Sequence, residues 1–519
     1  LIFRLTPMPG TLIFKPYLVQ KGRGPHLFDF LMTLDEKGDA FKSDIKLTDS
    51  GIIIGNAEGK EKFSISVRWN IEGYGYLFIP ADNGGELYEL PKSGEKVLNL
   101  NYELAKTRVT RNRERILQFK KSGWRPASEI KHLISLSSEL FNDAERNKRN
   151  QEICAAYAQA SLKYSITASE MIEVDKARYD ISNNPVRKDF LFGCDSRGYY
   201  QMESKELFLE RFTELFNYAT ITHYLKGDFI DFEPEEGNKK FKERDELLFI
   251  LKKKNVKVEG RPLFWTHTWV TPEWLEKKSY PQLLKYVEKH IKEVVSHYGD
   301  EIEVWEVVNE MHDWANQVQL NQEQAIELTK LACATARSVN PNIRLLINNC
   351  CPFADYVQLG KWHELDAKFP QRTPHQFTEQ LIEAGVDFDI VGVQVYFVQR
   401  TLTEAIQSVE RYEQLGKKVQ LAEVGAPSRG ITQEFTEQDE DFSTKPYEWH
   451  RHWDEELQAD WLESIFTYGY SKQFIEAANW YDFVDPKGFL KYGGLLRSPM
   501  GEKKSACDRL VNLKKSWNL

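Results

Sequence analysis

Eight short apolar runs alternate with amphipathic helical stretches between residues 181 and 519, and this alternation predicts an α/β chain built on a (β/α)8 TIM barrel. Two further observations extend the expectation. Residues 1–105 hold strand-like runs separated by Gly, Asp and Asn turns, which predicts an N-terminal all-β, sandwich-like domain. Residues 106–180 carry apolar positions at helical spacing, which predicts a helical connector. A chain of 519 residues exceeds one ordinary core, so several domains are expected on length alone.

In the β-domain, Leu12–Phe14, Ile52–Ile54 and Phe63–Val67 are the expected strands, and Asp82-Asn83-Gly84-Gly85 has the residues of a hairpin turn. In the connector, Leu133, Ile134, Leu140, Ile153, Ala156, Leu162, Ile166 and Met171 recur among Lys, Arg and Glu, giving two or three helices. The expected barrel strands are Phe190–Gly193, Ala219–Thr222, Pro262–Trp265, Val304–Val308, Ile343–Ile347, Ile390–Val393, Val419–Leu421 and Ala477–Trp480. Helices are expected between them, among them Pro281–His297, Gln322–Val339 and Thr403–Leu415.

Composition narrows the function. Charged residues make up 28% and the mean hydropathy is -0.53, as in a soluble globular protein. No apolar stretch approaches the roughly 18 residues needed to span a bilayer. A net charge of -9 with no basic tract argues against a nucleic-acid partner and suits a neutral substrate. The six cysteines form no C-x-x-C pair, so neither a zinc site nor a redox motif is expected. A chain that opens on Leu1 is expected to be a processed or trimmed product, which leaves room for a removed signal peptide.

Two of the apolar runs end in a carboxylate. Val304-Trp305-Glu306-Val307-Val308-Asn309-Glu310 closes the fourth barrel strand, and Lys418-Val419-Gln420-Leu421-Ala422-Glu423 closes the seventh. Catalytic groups of this fold sit at the C-terminal ends of strands. Two acids from different strands are what glycosidic cleavage requires, one protonated to serve the leaving oxygen and one ionised to attack the anomeric carbon. Asn309 has a task beside them, because its amide can hydrogen-bond a sugar hydroxyl next to the reacting carbon. The alternative is that Glu310 caps the next helix and Glu423 is a surface acid.

With these residues in view, the barrel half resembles glycoside hydrolase family 10, the retaining endo-xylanase family of clan A. Trp305-Glu306-Val307-Val308-Asn309-Glu310 resembles the family's strand-four W-D-V-V-N-E, and Ala422-Glu423-Val424-Gly425 its T-E-L-D. Gly392-Val393-Gln394-Val395-Tyr396 is similar to G-L-Q-S-H on strand six. Gly260-Arg261-Pro262-Leu263-Phe264-Trp265-Thr266-His267, followed by Pro272-Glu273-Trp274, is similar to G-H-T-L-V-W-H and P-x-W. Asn348-Asn349 resembles the strand-five N-D, and Trp480-Tyr481-Asp482-Phe483-Val484-Asp485 the strand-eight W-G-V-T-D. The likeness runs in order from about 187 to 515, and residues 1–180 have no counterpart in the family's catalytic module.

The resemblance implies that Glu310 is the acid/base and Glu423 the nucleophile. It further implies sugar contacts by Asn309, Lys226, His267, Trp265, Gln394, Tyr396, Trp480 and Asn349, with Trp480 as a stacking platform. It implies no metal and no organic cofactor, a carbohydrate polymer or oligosaccharide as partner, and a secreted or periplasmic location. Neither a nucleic acid nor a membrane is an expected partner, and oligomeric state is not legible.

The departures bear on substrate. Thr222-His223-Tyr224-Leu225-Lys226 stands where the family has E-N-x-x-K, so the lysine is kept and the two sugar grips are not. Tyr396 replaces the histidine that donates to the nucleophile, and Phe489 replaces a second strand-eight tryptophan. An insertion over Glu434–Asp454 is expected to be a solvated loop bordering the cleft. Its aromatic end, Trp449 to Trp453, is placed to narrow the cleft and favour exo action. Xylan or a related β-1,4-linked plant polysaccharide is the expected substrate. The alternatives are another β-linked glycan or a non-catalytic carbohydrate-binding barrel.

Overall fold

The computed structural model describes residues 10–17, 31–362, 365–396, 400–430 and 448–519. Eight strands precede the first long helix: β1 (Thr11–Lys15), β2 (Leu31–Leu34), β3 (Ala40–Phe41), β4 (Lys46–Thr48), β5 (Gly51–Ile54), β6 (Ser64–Ile71), β7 (Gly75–Ala81) and β8 (Glu95–Asn99). They form two four-stranded sheets, β4-β5-β1-β8 and β3-β2-β6-β7.

The hairpin joining β6 to β7 turns at Glu72-Gly73-Tyr74, where Gly73 takes φ 88° and Ile71 pairs with Gly75. The expected turn at Asp82–Gly85 is a correction. Asp82 instead accepts from Gly85 N at 3.0 Å and caps a single 3-10 turn. The chain then rejoins the sheet edge, where Tyr88 bridges Phe63. A run of Asn and Gly specifies positive φ, but whether two strands flank it is decided by the sheet.

Three helices follow: α1 (Leu100–Lys120), α2 (Ser128–Arg146) and α3 (Gln151–Asn183). Asn99 starts α1 by accepting from Tyr102 N, and Asn150 starts α3 by accepting from Ile153 N. A continuous apolar core runs from Phe63 and Trp69 through Leu104, Leu162 and Ile166 to the barrel's outer layer. Ionic contacts reinforce it. Arg108 pairs with Glu404, and Arg115 pairs with Glu173 at 2.7 Å and Glu410 at 2.6 Å.

The remaining strands are β9 (Leu191–Asp195), β10 (Tyr218–Thr222), β11 (Lys257–Arg261), β12 (Val304–Asn309), β13 (Arg344–Asn349), a small hairpin β14–β15 (Lys361–Trp362, Leu365–Asp366), β16 (Ile390–Tyr396), β17 (Lys418–Gly425), a second hairpin β18–β19 (Glu448–Trp449, Arg451–His452) and β20 (Ile475–Trp480). Eight of them close a parallel barrel in the order β9-β10-β11-β12-β13-β16-β17-β20. Seven coincide with the expected runs to within a few residues. The third lies earlier than expected, at Lys257–Arg261 rather than Pro262–Trp265. Pro262 has no N–H to give a ladder. The chain beyond it still follows β12 through Leu263 N to Glu306 O at 2.8 Å and Phe264 N to Val307 O at 3.0 Å.

The barrel interior is polar and layered. Deep inside, Tyr218 donates to Glu259 at 2.6 Å, and Gln420 donates to Glu476 at 3.1 Å. Gly260 makes room for Trp305, whose ring would lie 2.3 Å from any β-carbon placed there. All six cysteines are free thiols, and among the described residues no helix is long and apolar enough to cross a membrane.

Candidate active site

Strand β12 delivers Glu310 to the barrel mouth. Its backbone adopts φ 56°, a left-handed conformation uncommon outside glycine, and its N–H donates to Asn348 O at 2.9 Å. The carboxylate is buried. Trp265 Nε1 donates to Oε2 at 3.1 Å, and Gln394 Nε2 donates to Oε1 at 3.0 Å. Gln394 also reaches Asn309 Oδ1 at 3.3 Å, so the strand-six amide ties the two strand-four side chains together. Burial, followed by the charge of Glu423, pushes the Glu310 carboxyl up to about 7.

Strand β17 delivers Glu423. The pairing of β16 with β17 shifts register after Val393, setting Gln394 opposite Glu423. A second shift, between Leu421 and Val424, marks the pairing with β20. Bulges of this kind re-aim side chains at functional rims. Glu423 accepts from Arg261 Nη2, from the Tyr396 hydroxyl, and from Asn348 Nδ2 at 3.1 Å. Arg261 is 1% exposed and also pairs through Nε with Glu306 at 3.1 Å. Burial opposes its charge, but Glu306 and Glu423 hold the guanidinium well above its ordinary range. Asn348 completes the group by donating to Glu306 at 3.0 Å. The Tyr396 phenol is raised well above 10 by burial and by Glu423, so it stays a neutral donor.

Of the residues singled out in the sequence, Glu310, Glu423, Asn309, Gln394, Tyr396 and Trp265 converge. His267 is buried beside them, with ring centroids 5.2 Å from Trp265 and 4.7 Å from Trp269. Lys226 lies half-buried in the segment after β10 and makes none of the carboxylate contacts above.

Three expectations need correction. Asn349 points out of the barrel and donates to Thr378 at 3.3 Å, while Asn348 takes the inward position. Neighbouring strand residues face opposite sides, so only one of the pair can line the mouth. Trp480 offers no face to a sugar. It is fully buried, its N–H donates to Gly493 O at 2.9 Å, and it meets Trp461 of the helix Glu455–Ser471 edge-on. The aromatic end of the insertion does not rim the cleft. Trp449 and Trp453 are buried and stacked at 5.7 Å, and Trp449 Nε1 donates to Glu170 of α3 at 3.2 Å. Glu437, Asp439, Glu440 and Asp441 lie outside the described residues. Among the described residues no cluster of His, Cys, Asp or Glu is placed to hold a metal ion.

Sequence reasoning missed Arg261, Glu306 and Asn348. A signal existed for the charged two. Each is a charge inside a run that a barrel buries, and a buried charge requires a partner. It also missed Tyr481, which follows Trp480 and does line the mouth. Its ring lies 5.5 Å from the Arg261 guanidinium, and its hydroxyl shares a hydrogen bond with Tyr224 at 3.2 Å. Arg197 binds Asp195 at 2.9 Å and Asp482 at 2.8 Å just beyond, and burial pushes Asp482 up to about 7. Phe489, 44% exposed, packs on Tyr396 at 5.0 Å.

The profile described as Glycosyl hydrolase family 10 matches residues 184–471, more than half of the 519-residue chain. A β-1,4-xylanase of Dictyoglomus thermophilum is 25% identical over 242 residues, covering 42% of this chain and 64% of that protein. Endo-1,4-β-xylanase B of Thermotoga neapolitana is 26% identical over 233 residues, covering 44% and 63%. The chain therefore spans less than two thirds of the length of these relatives. Among solved structures, native xylanase 10B of Thermotoga maritima aligns over 66% of this chain and 98% of its own, at 19% identity and a TM-score of 0.48.

Proposed function

The chain belongs to glycosyl hydrolase family 10, and on that premise we propose that it is a retaining β-glycoside hydrolase acting on xylan or a related β-1,4-linked plant polysaccharide. One observation carries the reading. Two buried glutamates at the ends of barrel strands four and seven hold opposite company, Glu310 with neutral donors and Glu423 with a guanidinium. Burial pushes Glu310 up to about 7, the range in which a carboxyl can serve as general acid.

In this reading Glu423 forms a bond to the anomeric carbon while the glycosidic C–O bond breaks. Glu310 gives its proton to the departing oxygen. Water then attacks the glycosyl-enzyme, Glu310 takes a proton from it, and Glu423 leaves as carboxylate. Asn309 and Gln394 are assigned to a sugar hydroxyl beside the reacting carbon. Trp265, His267 and Lys226 are assigned to the flanking sugar. A three-part division at about 105 and 180 and a secreted or periplasmic site of action complete the proposal, since a plant polymer is met outside the cytoplasm.

A different β-linked glycan is the second reading, and strand two favours it. His223 turns away from the mouth to Tyr298 at 3.0 Å, leaving Tyr224 where polar grips would stand. Turnover of aryl β-xylosides and aryl β-cellobiosides, with a panel of polysaccharides, separates the two. NMR of the first-formed product should show the β-anomer. An α-anomer, or no turnover of any β-glycoside, overturns the proposal.

A further inference from the structure

The β-domain meets the barrel largely on its catalytic face. Leu34 and Ala40, from β2 and β3, share an apolar cluster with Trp314, Cys351, Tyr356 and Val357. Trp314 follows Glu310 closely in the segment after barrel strand four, and Cys351 lies just past the end of strand five. Ser43 N donates to Gln358 Oε1 at 3.0 Å, and Gln358 Nε2 returns a bond to Ser43 O at 3.1 Å. Asp39 accepts from Thr373, the cap of the helix after strand five, at 2.7 Å.

After strand six, Arg400 is clasped between the two units. Its guanidinium lies 4.2 Å from the Phe78 ring centre of β7 and 4.1 Å from that of Phe353. It also donates to Ser66 of β6 at 3.3 Å. Tyr74 also packs on His450 at 4.7 Å, in the hairpin that lies against α3 rather than on the rim. Apart from that hairpin, these barrel segments follow C-terminal strand ends, where substrates of this fold bind. The opposite half of the mouth differs. Among the described residues no hydrogen bond or ion pair joins the β-domain to the segments after strands eight, one, two or three. On that side Phe489 is 44% exposed.

We propose that the β-domain is one wall of the substrate cleft, closing it at strands five and six. A bound chain then extends freely only across the opposite half, and cleavage takes place near a chain end. A domain that served only as a brace could dock on any outer helices. This one also holds outer helices, through Asp39 to Arg411 at 2.7 Å and Lys37 to Glu379 at 3.7 Å, but its apolar contact and its clasp on Arg400 fall on the segments leading out of strands four to six. The proposal rests on the glycosidase reading above.

The test uses the intact chain. Take the polymer turned over fastest in the polysaccharide panel and its end-labelled hexasaccharide. One short product from one end is expected from the earliest time points, with slow loss of polymer viscosity for each bond cleaved. Arg400→Ala and Phe78→Ala loosen the wall without touching a carboxylate. Each should raise internal cleavage severalfold while turnover of a short aryl β-glycoside stays unchanged, with thermal melts to show that the variants fold. Random internal cleavage by the unaltered enzyme overturns the wall, and so does an unchanged product pattern in both folded variants. Failure to hydrolyse the aryl glycoside at all would instead overturn the glycosidase reading.

Discussion

Glu310 and Glu423 bring the same side chain to the same barrel mouth and meet opposite surroundings. Glu310 receives neutral N–H donors from Trp265 and Gln394 and sits in a buried site that pushes its carboxyl up to about 7. Glu423 receives the Arg261 guanidinium, the Asn348 amide and the Tyr396 hydroxyl. Burial and the nearby Glu423 charge hold the proton on Glu310, while Glu423 is anchored by a guanidinium and two further donors. The difference teaches that neighbours, not residue type, divide the work. It also predicts that changing the neighbours should exchange or blur the two roles.

Removing the proposed nucleophile is the severest test of that contrast. Glu423→Ala should abolish nearly all turnover, measured on an activated aryl glycoside. Glu310→Ala should cost about 10² to 10⁴ on substrates with poor leaving groups, the usual worth of a general acid. Its first step on activated aryl glycosides should suffer less. Azide should restore turnover of this variant and yield a β-glycosyl azide. Rescue of the Glu423 variant with retained product, together with an inverted azide from the Glu310 variant, would show the roles reversed.

Arg261 comes next, because it serves Glu423 and Glu306 together. Arg261→Met strands two buried carboxylates and should cost about 3–5 kcal/mol of stability, as breaking a buried pair does. Arg261→Lys keeps the charge without the fork and should fold, with its rate loss appearing in kcat rather than KM. Retained kcat in the lysine variant would make Arg261 a structural residue only.

Tyr396→Phe deletes one donor to a charged group. A loss of about 10- to 100-fold is expected, the equivalent of about 1.5–3 kcal/mol. The loss should appear in kcat rather than KM, because the donor serves the attacking carboxylate. An unchanged kcat would reduce Tyr396 to packing.

The gentlest test is in stability. Glu310 must hold its proton to act as acid, so kcat/KM should fall as pH rises through about 7. The same raised carboxyl favours the fold at low pH and loses that contribution as pH climbs through about 7. Glu310→Gln should therefore raise Tm at pH 8 and leave it nearly unchanged at pH 5. Equal shifts at both pH values would show that the ionised form of Glu310 is not strained in its pocket.

Much of this was legible in the chain, for reasons that are local. A parallel barrel strand is buried on both faces, so it reads as an apolar run, and each intervening helix shows its own period. Glu310 and Glu423 stood out because each ended such a run. Turns bounding apolar runs marked the N-terminal strands and helical spacing marked two or three connector helices, although the first begins at Leu100, inside the expected β-domain, and Asp82–Gly85 forms a single 3-10 turn instead of a hairpin.

What tertiary structure decided was orientation and partnership. Asn348 rather than Asn349 faces the mouth, and Tyr481 rather than Trp480 lines it, because register shifts and the covering helix Glu455–Ser471 select the inward side chain. Arg261 finds its partners on strands four and seven, 45 and 162 positions along the chain. No local pattern encodes a contact of that span. The docking of the β-domain on the catalytic face likewise depends on Arg400 meeting Phe78 and Phe353 across two units. By itself the sequence determined which segments are buried strands and which acids end them. Only closure of the barrel, which forces distant strands to share one interior, decided which of their side chains face one another.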